Sequence, residues 1–268
     1  MALSENPAPR PRRFVSVPLR LLIPNVVTLL ALSLGLTAIR FAIENQIEWA
    51  VVSIAAAAVL DGLDGRIARA LKGTSRFGAE LDSLADFIDF GVAPGLILYL
   101  FGLNQMRSIG WFTVLVFAIA CAIRLARFNV MIDDPDRPAW QGAFFVGMPA
   151  PAGAIVVLLP VYLNLSLFNV PNLRAAEPIE IIYVLAVAFL MASRIPHFSG
   201  KSFGRVPREY VAVTLLALAV GVLLLANFPM EVLVVLTVVY LCAIPLSVRK
   251  FRDMQRMSAA AAPGPAPT

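Results

Sequence analysis

The chain has 268 residues, of which 59% are hydrophobic and 15% charged, against ~45–50% and ~25% in a soluble domain. A mean hydropathy of +0.81 excludes a soluble globular enzyme, a disordered chain and a disulfide-rich secreted domain. The net charge of +5 fits basic residues at a membrane surface, so no nucleic-acid partner is expected.

At ~20 residues per crossing, the apolar content supports an all-α, polytopic transmembrane helical bundle of about eight spans. Apolar stretches run over 24–40, 47–70, 79–102, 109–130, 148–168, 178–193, 210–227 and 230–248. Residues 1–22 form a basic N-terminal segment, 23–248 the transmembrane domain, and 249–268 a basic then Ala/Pro-rich tail expected to be disordered. The stretch from Arg10 to Leu22 mixes Arg with Phe14, Val15 and Leu19. It suits either an interfacial segment on an anionic leaflet or a solvated positive anchor.

Eight spans place both termini on one side of the membrane. Fifteen Lys and Arg fall on that side, from Arg10 to Arg256, against Arg40, Arg107 and Arg174 on the other. The positive-inside bias makes both termini cytoplasmic. Cys121 and Cys242 lie inside apolar runs and read as small core or lipid-facing residues.

The second span starts as WAVVSIAAAAVL and then turns charged, with DGLDGRIARALKGTSRFGAELDSLAD over 61–86. Acids beside a span are functional candidates. Asp61, Asp64, Gly65 and Ala68 share one helical face, and Gly78, Asp82 and Asp86 share another. The turn over 72–75 is short enough to fold the two helices into an antiparallel hairpin. Four carboxylates would converge near the cytoplasmic interface, and they stay ionised only around a counter-charge. Hard divalent ions with oxygen ligands, Mg²⁺ or Mn²⁺, supply it. Gly65 and Gly78 leave room for a ligand, and Arg69 is placed to meet a phosphate or to pair with an acid.

The pattern Asp61-x-x-Asp64-Gly65-x-x-Ala68-Arg69-x8-Gly78-x-x-x-Asp82-x-x-x-Asp86 resembles, position for position, the signature of the CDP-alcohol phosphatidyltransferases. That resemblance implies a helical bundle with a cytoplasm-facing cavity and two metal ions on Asp61, Asp64, Asp82 and Asp86. It also implies transfer of a substituted phosphate from a CDP-linked donor to an alcohol, with release of CMP. By the same analogy Asp86 is the catalytic base and also a candidate metal ligand. Asp61, Gly65, Ala68, Arg69 and Gly78 would line the donor pocket.

Other segments lean toward one branch of the family. Pro24-Asn25-x-x-Thr28, Phe90-Gly91-Val92-Ala93-Pro94, Arg124-Leu125-Ala126-Arg127-Phe128-Asn129 and Phe145-x-Gly147-x-Pro149 are similar to its membrane-integral, serine-accepting bacterial members. The resemblance therefore implies CDP-diacylglycerol and L-serine as substrates, membrane lipids around the chain, a homodimer and residence in a bacterial inner membrane. Asp89 departs from the branch, where a small polar residue is usual. Arg124, Arg127 and Asn129 are candidates for gripping the donor phosphate or the serine carboxylate. The alternative for the arginines is positive-inside anchoring on helix C-terminal carbonyls. His197, the one histidine, is expected as a surface-loop residue, and Lys201 as a topogenic charge. Glycerol 3-phosphate or an inositol phosphate is the alternative acceptor. A cation-coupled transporter is a remote alternative, since that reading predicts acids spread over several helices.

Overall fold

The computed structural model describes residues 19–71, 75–132, 144–167, 177–198 and 208–261. The hairpin turn over 72–74, most of the basic N-terminal segment, Lys201 and residues 262–268 lie outside them. Each of the eight apolar stretches is helical within the described residues. Among the described residues, four helical units are long and apolar enough to cross a bilayer: Leu22–Ile43, Arg76–Phe101, Leu103–Met131 and Pro229–Met257.

Helices α1 (Leu19–Ile43) and α2 (Ile47–Ala70) form a tight pair. The turn between them passes through Asn45 at φ 59°, a left-handed conformation that asparagine tolerates better than most residues. Helix α3 (Arg76–Phe87) starts at Ser75, whose Oγ accepts the Gly78 N–H at 3.0 Å. It runs through a π-helical turn, Ile88–Val92, into α4 (Ala93–Phe101). Asp89 sits in that turn, buried against Gly35 of α1, where any side chain would overlap its carboxylate. The close approach of α1 therefore depends on glycine.

Helix α5 (Arg107–Ile132) packs on α8 (Glu177–Ala192). The expected fifth span is broken at Leu158 into α6 (Ala150–Val157) and α7 (Leu159–Leu165), because Pro160 offers no N–H to continue the ladder. Two three-residue strands, β1 (Phe144–Val146) and β2 (Pro196–Phe198), pair antiparallel with Phe144 opposite Phe198. Gly147 follows β1 at φ +80°, where the carbonyls of Met191 and Ser193 leave no room for a side chain.

Helix α9 (Val211–Asn227) buries none of its residues, as suits a helix hydrophobic all round that faces lipid. Helix α10 (Pro229–Ala261) continues well past the expected end of the last span. The basic stretch from Arg249 to Arg256, expected as the start of a disordered tail, is its final helical segment. Continuous helix satisfies the backbone there, and the segment carries no Gly or Pro before residue 263 to end it. The core lies among α2, α4, α5, α6 and α8, around Ile54, Phe90, Phe117 and Met191.

Candidate active site

Helices α2 and α3 each pack on α1, and their acidic faces come together. Asp61 and Asp64 project from α2 and Asp82 from α3, and one oxygen from each can lie within 4.8 Å of the others. Asp86, one turn beyond Asp82, lies close enough to Asp61 and Asp82 to interact with both electrostatically. The four acids of the hairpin thus meet, as their spacing predicts. Three carboxylates from two helices, all hard oxygen donors, form a set that can hold a divalent cation.

A cleft of about 410 Å³ opens beside this cluster. Gly65, Ala68, Arg69 and Gly78 all line it, together with Asp64 and Asp82. At Gly65 the nearest atom to an added side chain would be Arg69 Nη1 at 3.6 Å, so the backbone there is open to a ligand. Gly78 differs. Its space is taken by Asn25 of α1, whose Oδ1 would lie 2.7 Å from an added Cβ.

Three polar cleft residues, Asn25, Thr28 and Ser75, are not among the site residues expected from the sequence. Thr28 Oγ1 lies 2.8 Å from Asp64 Oδ2 and 3.1 Å from the Pro24 carbonyl. The available signal was two small polar residues three apart at the start of an otherwise apolar helix.

The arginine pair separates. Arg124 is buried, with its guanidinium 5.3 Å from the Phe128 ring centre, and it interacts electrostatically with Asp86 and Asp61. Arg127 turns the other way and donates from Nη1 to the carbonyls of Ala192 and Ser193 at 2.8 and 3.0 Å. These are end-of-helix acceptors on α8, which is the anchoring role rather than the anion grip. Asn129 Nδ2 donates to Ser83 Oγ at 2.9 Å, tying α5 to α3. None of Arg124, Arg127 and Asn129 lines the aspartate cleft, and a one-turn spacing along α5 does not keep both arginines on the same neighbours.

His197 is also corrected. It is buried on β2, its Nδ1 2.9 Å from the Tyr240 hydroxyl and its ring stacked on the tyrosine at 5.8 Å. Burial pushes the imidazole down to about 4. Pairing of β1 with β2 turns an apparent loop inward, which a single histidine in a basic stretch does not announce.

The family profile of the CDP-alcohol phosphatidyltransferases matches residues 21–192. A CDP-diacylglycerol–serine O-phosphatidyltransferase of Mycobacterium leprae is 41% identical over 244 residues, covering 91% of this chain and 79% of that protein. One of Mycobacterium tuberculosis H37Rv is 40% identical, covering 91% of this chain and 83% of that protein. A Bacillus subtilis enzyme of the same name is 36% identical over 179 residues, 66% of this chain and 90% of that protein. With its signature acids gathered around one cleft, this chain belongs to the CDP-alcohol phosphatidyltransferase family.

Proposed function

We infer that the chain transfers the phosphatidyl group of CDP-diacylglycerol to the hydroxyl of L-serine, giving phosphatidylserine and CMP. The observation that carries this reading is the convergence of Asp61, Asp64 and Asp82 beside the cleft lined by Gly65 and Arg69. Relatives named for that reaction over most of their length supply the acceptor.

The donor's cytidine diphosphate lies along Gly65 and Ala68, where the absent or small side chains admit it, with Asn25 occupying the space beside Gly78. Arg69 meets a phosphate at the mouth. Asp61, Asp64 and Asp82, with Asp86 beside them, would hold two divalent ions, Mg²⁺ or Mn²⁺. When bound, these ions neutralise the diphosphate oxygens and the departing CMP. Asp86 takes the proton of the serine hydroxyl as its oxygen attacks the phosphorus bonded to diacylglycerol. A new P–O bond forms, the bond to the CMP phosphate breaks, and the electron pair leaves with CMP. Arg124, buried behind Asp86 and Asp61, offsets their charge and draws the serine carboxylate or the donor phosphate. Thr28 fixes the orientation of Asp64.

In this reading residues 23–248 form one transmembrane domain that crosses a bacterial inner membrane eight times. Both termini and the aspartate cleft face the cytoplasm, supported by the distribution of Lys and Arg. The family resemblance supports a homodimer.

The test is CMP release by purified protein given CDP-diacylglycerol and Mn²⁺ or Mg²⁺, with serine, glycerol 3-phosphate or an inositol phosphate in parallel. Serine-dependent release of CMP with formation of phosphatidylserine is expected. Turnover with glycerol 3-phosphate and none with serine would overturn the acceptor.

A further inference from the structure

A second cavity of about 740 Å³ lies between α6 and α10, away from the aspartate cleft. Its walls are aliphatic, with Ile155 and Val156 from α6 and Leu236, Val239 and Ile244 from α10. One end is polar. Ser247 Oγ and His197 Nε2 are buried there without a hydrogen-bond partner, and Lys250 stands at the rim with its ammonium 5.8 Å from the Phe198 ring centre.

The unpaired groups are unusual for this chain. Ser53, Thr113 and Thr214 each donate to the carbonyl four residues earlier in their own helices, which is how a helical hydroxyl is normally satisfied in an apolar setting. Ser247 does not. In the tautomer whose Nδ1 accepts from the Tyr240 hydroxyl, 2.9 Å away, the neutral His197 ring carries its proton on Nε2. Ser247 and His197 therefore offer two donors without acceptors next to a cation. The ligand that completes them is rich in oxygen acceptors and negatively charged at this end.

At the other end the requirement is the reverse. From Lys250 to Leu236 the groove follows α10 for about 21 Å at 1.5 Å per residue, with aliphatic walls that match an extended acyl chain. Arg249, Arg252 and Arg256 crowd the same end of α10 as Lys250, and such a cluster attracts anionic headgroups.

We propose that this groove binds an anionic glycerophospholipid of the bilayer, with its phosphate at Lys250 and one acyl chain along α10. Ser247 Oγ–H and His197 Nε2–H donate to the phosphate and ester oxygens. Thr237, deeper in the groove and also unpaired, receives no partner from this ligand. The site is separate from that of the donor and does not depend on the acceptor being serine.

Delipidated full-length protein, given back phosphatidylglycerol or phosphatidylcholine and weighed by native mass spectrometry, tests the proposal. The expected result is one retained phosphatidylglycerol per chain, preferred about fivefold over phosphatidylcholine, the worth of one lysine near an anionic headgroup. Ala243→Phe fills the groove and should abolish retention. Lys250→Gln, a change at an exposed position, should abolish the preference and keeps the test valid if the first variant misfolds. Retention should persist under saturating CDP-diacylglycerol. Equal retention of the two lipids, or a preference unchanged in Lys250→Gln, would overturn the site. So would one-for-one displacement by CDP-diacylglycerol, which would make the groove the donor's own acyl channel.

Discussion

Thr28 of α1 holds Asp64 of α2 across the helix pair, Oγ1 to Oδ2 at 2.8 Å. The carboxylate that accepts this hydroxyl also belongs to the cluster with Asp61 and Asp82. Partners of this kind behind metal ligands typically contribute about 10- to 100-fold in metal affinity or activity. Thr28→Val should therefore raise the Mn²⁺ concentration needed for half-maximal activity by about tenfold, and Thr28→Ser should restore it. An unchanged Mn²⁺ requirement in the valine variant would show that Asp64 needs no such support.

Asp86 and the metal set should separate in mutants. Asp86→Asn should lower turnover by about 10²- to 10⁴-fold, the range of general-base catalysis, while donor binding in the presence of metal persists. Asp82→Asn should weaken metal-dependent donor binding as well. Removal of divalent ions with a chelator should stop CMP release, and added Mn²⁺ or Mg²⁺ should restore it. Calorimetric titration of the donor against each variant, beside a CMP assay, distinguishes the two roles.

Gly65 lies inside α2 with open space around its α-carbon. Alanine there suits the helix and should stabilise the fold by about 0.5–1 kcal/mol. It should also raise KM for the donor, because the methyl group occupies the approach of the ligand. A variant with higher thermal midpoint and unaltered KM would remove Gly65 from the donor pocket. Gly78→Ala should instead disturb the packing of α3 on α1, since Asn25 fills that space.

Arg124 and Arg127 should fail in different ways. Arg124→Gln should cut kcat/KM about 100-fold in activity per folded molecule, the scale of one lost electrostatic contact, measured by CMP release beside thermal melts in detergent. Arg127→Gln leaves the carbonyls of Ala192 and Ser193 without their cation. It should cost about 1–3 kcal/mol of stability, with activity per folded molecule retained. Matching activity losses in both would contradict the separation.

His197 makes the fold acid-sensitive. Its folded value of about 4 lies below the ordinary 6.5, so the unfolded chain takes up the proton first. The corresponding stability is complete above pH 6.5 and is lost as pH falls toward 4. His197→Gln should flatten the thermal midpoint over that window. A wild-type curve as flat as that of the variant would contradict a neutral, buried imidazole.

The helices and the acidic face were legible because both are local. Apolar runs of bilayer length and acids three or four residues apart define a span and a helix face without reference to any neighbour. Gly65, Ala68 and Arg69 follow the same logic and line the cleft. Arg127, Asn129 and His197 did not, because their roles depend on which helix end or tyrosine stands opposite. Thr28 looked like part of a branch signature, and its contact with a carboxylate thirty-six positions away has no local sign.

By itself, then, the sequence determined a helical membrane protein with four carboxylates on one hairpin, and hence its family. Those properties follow from composition and from the 3.6-residue period of a helix. Only the tertiary structure decided that Thr28 braces Asp64, that Asn25 occupies the space at Gly78, that Arg124 and Arg127 part company, and that α10 and β2 enclose a groove. Each of these depends on pairing between distant segments, where side-chain direction and interhelical distance, rather than residue type, select the partner.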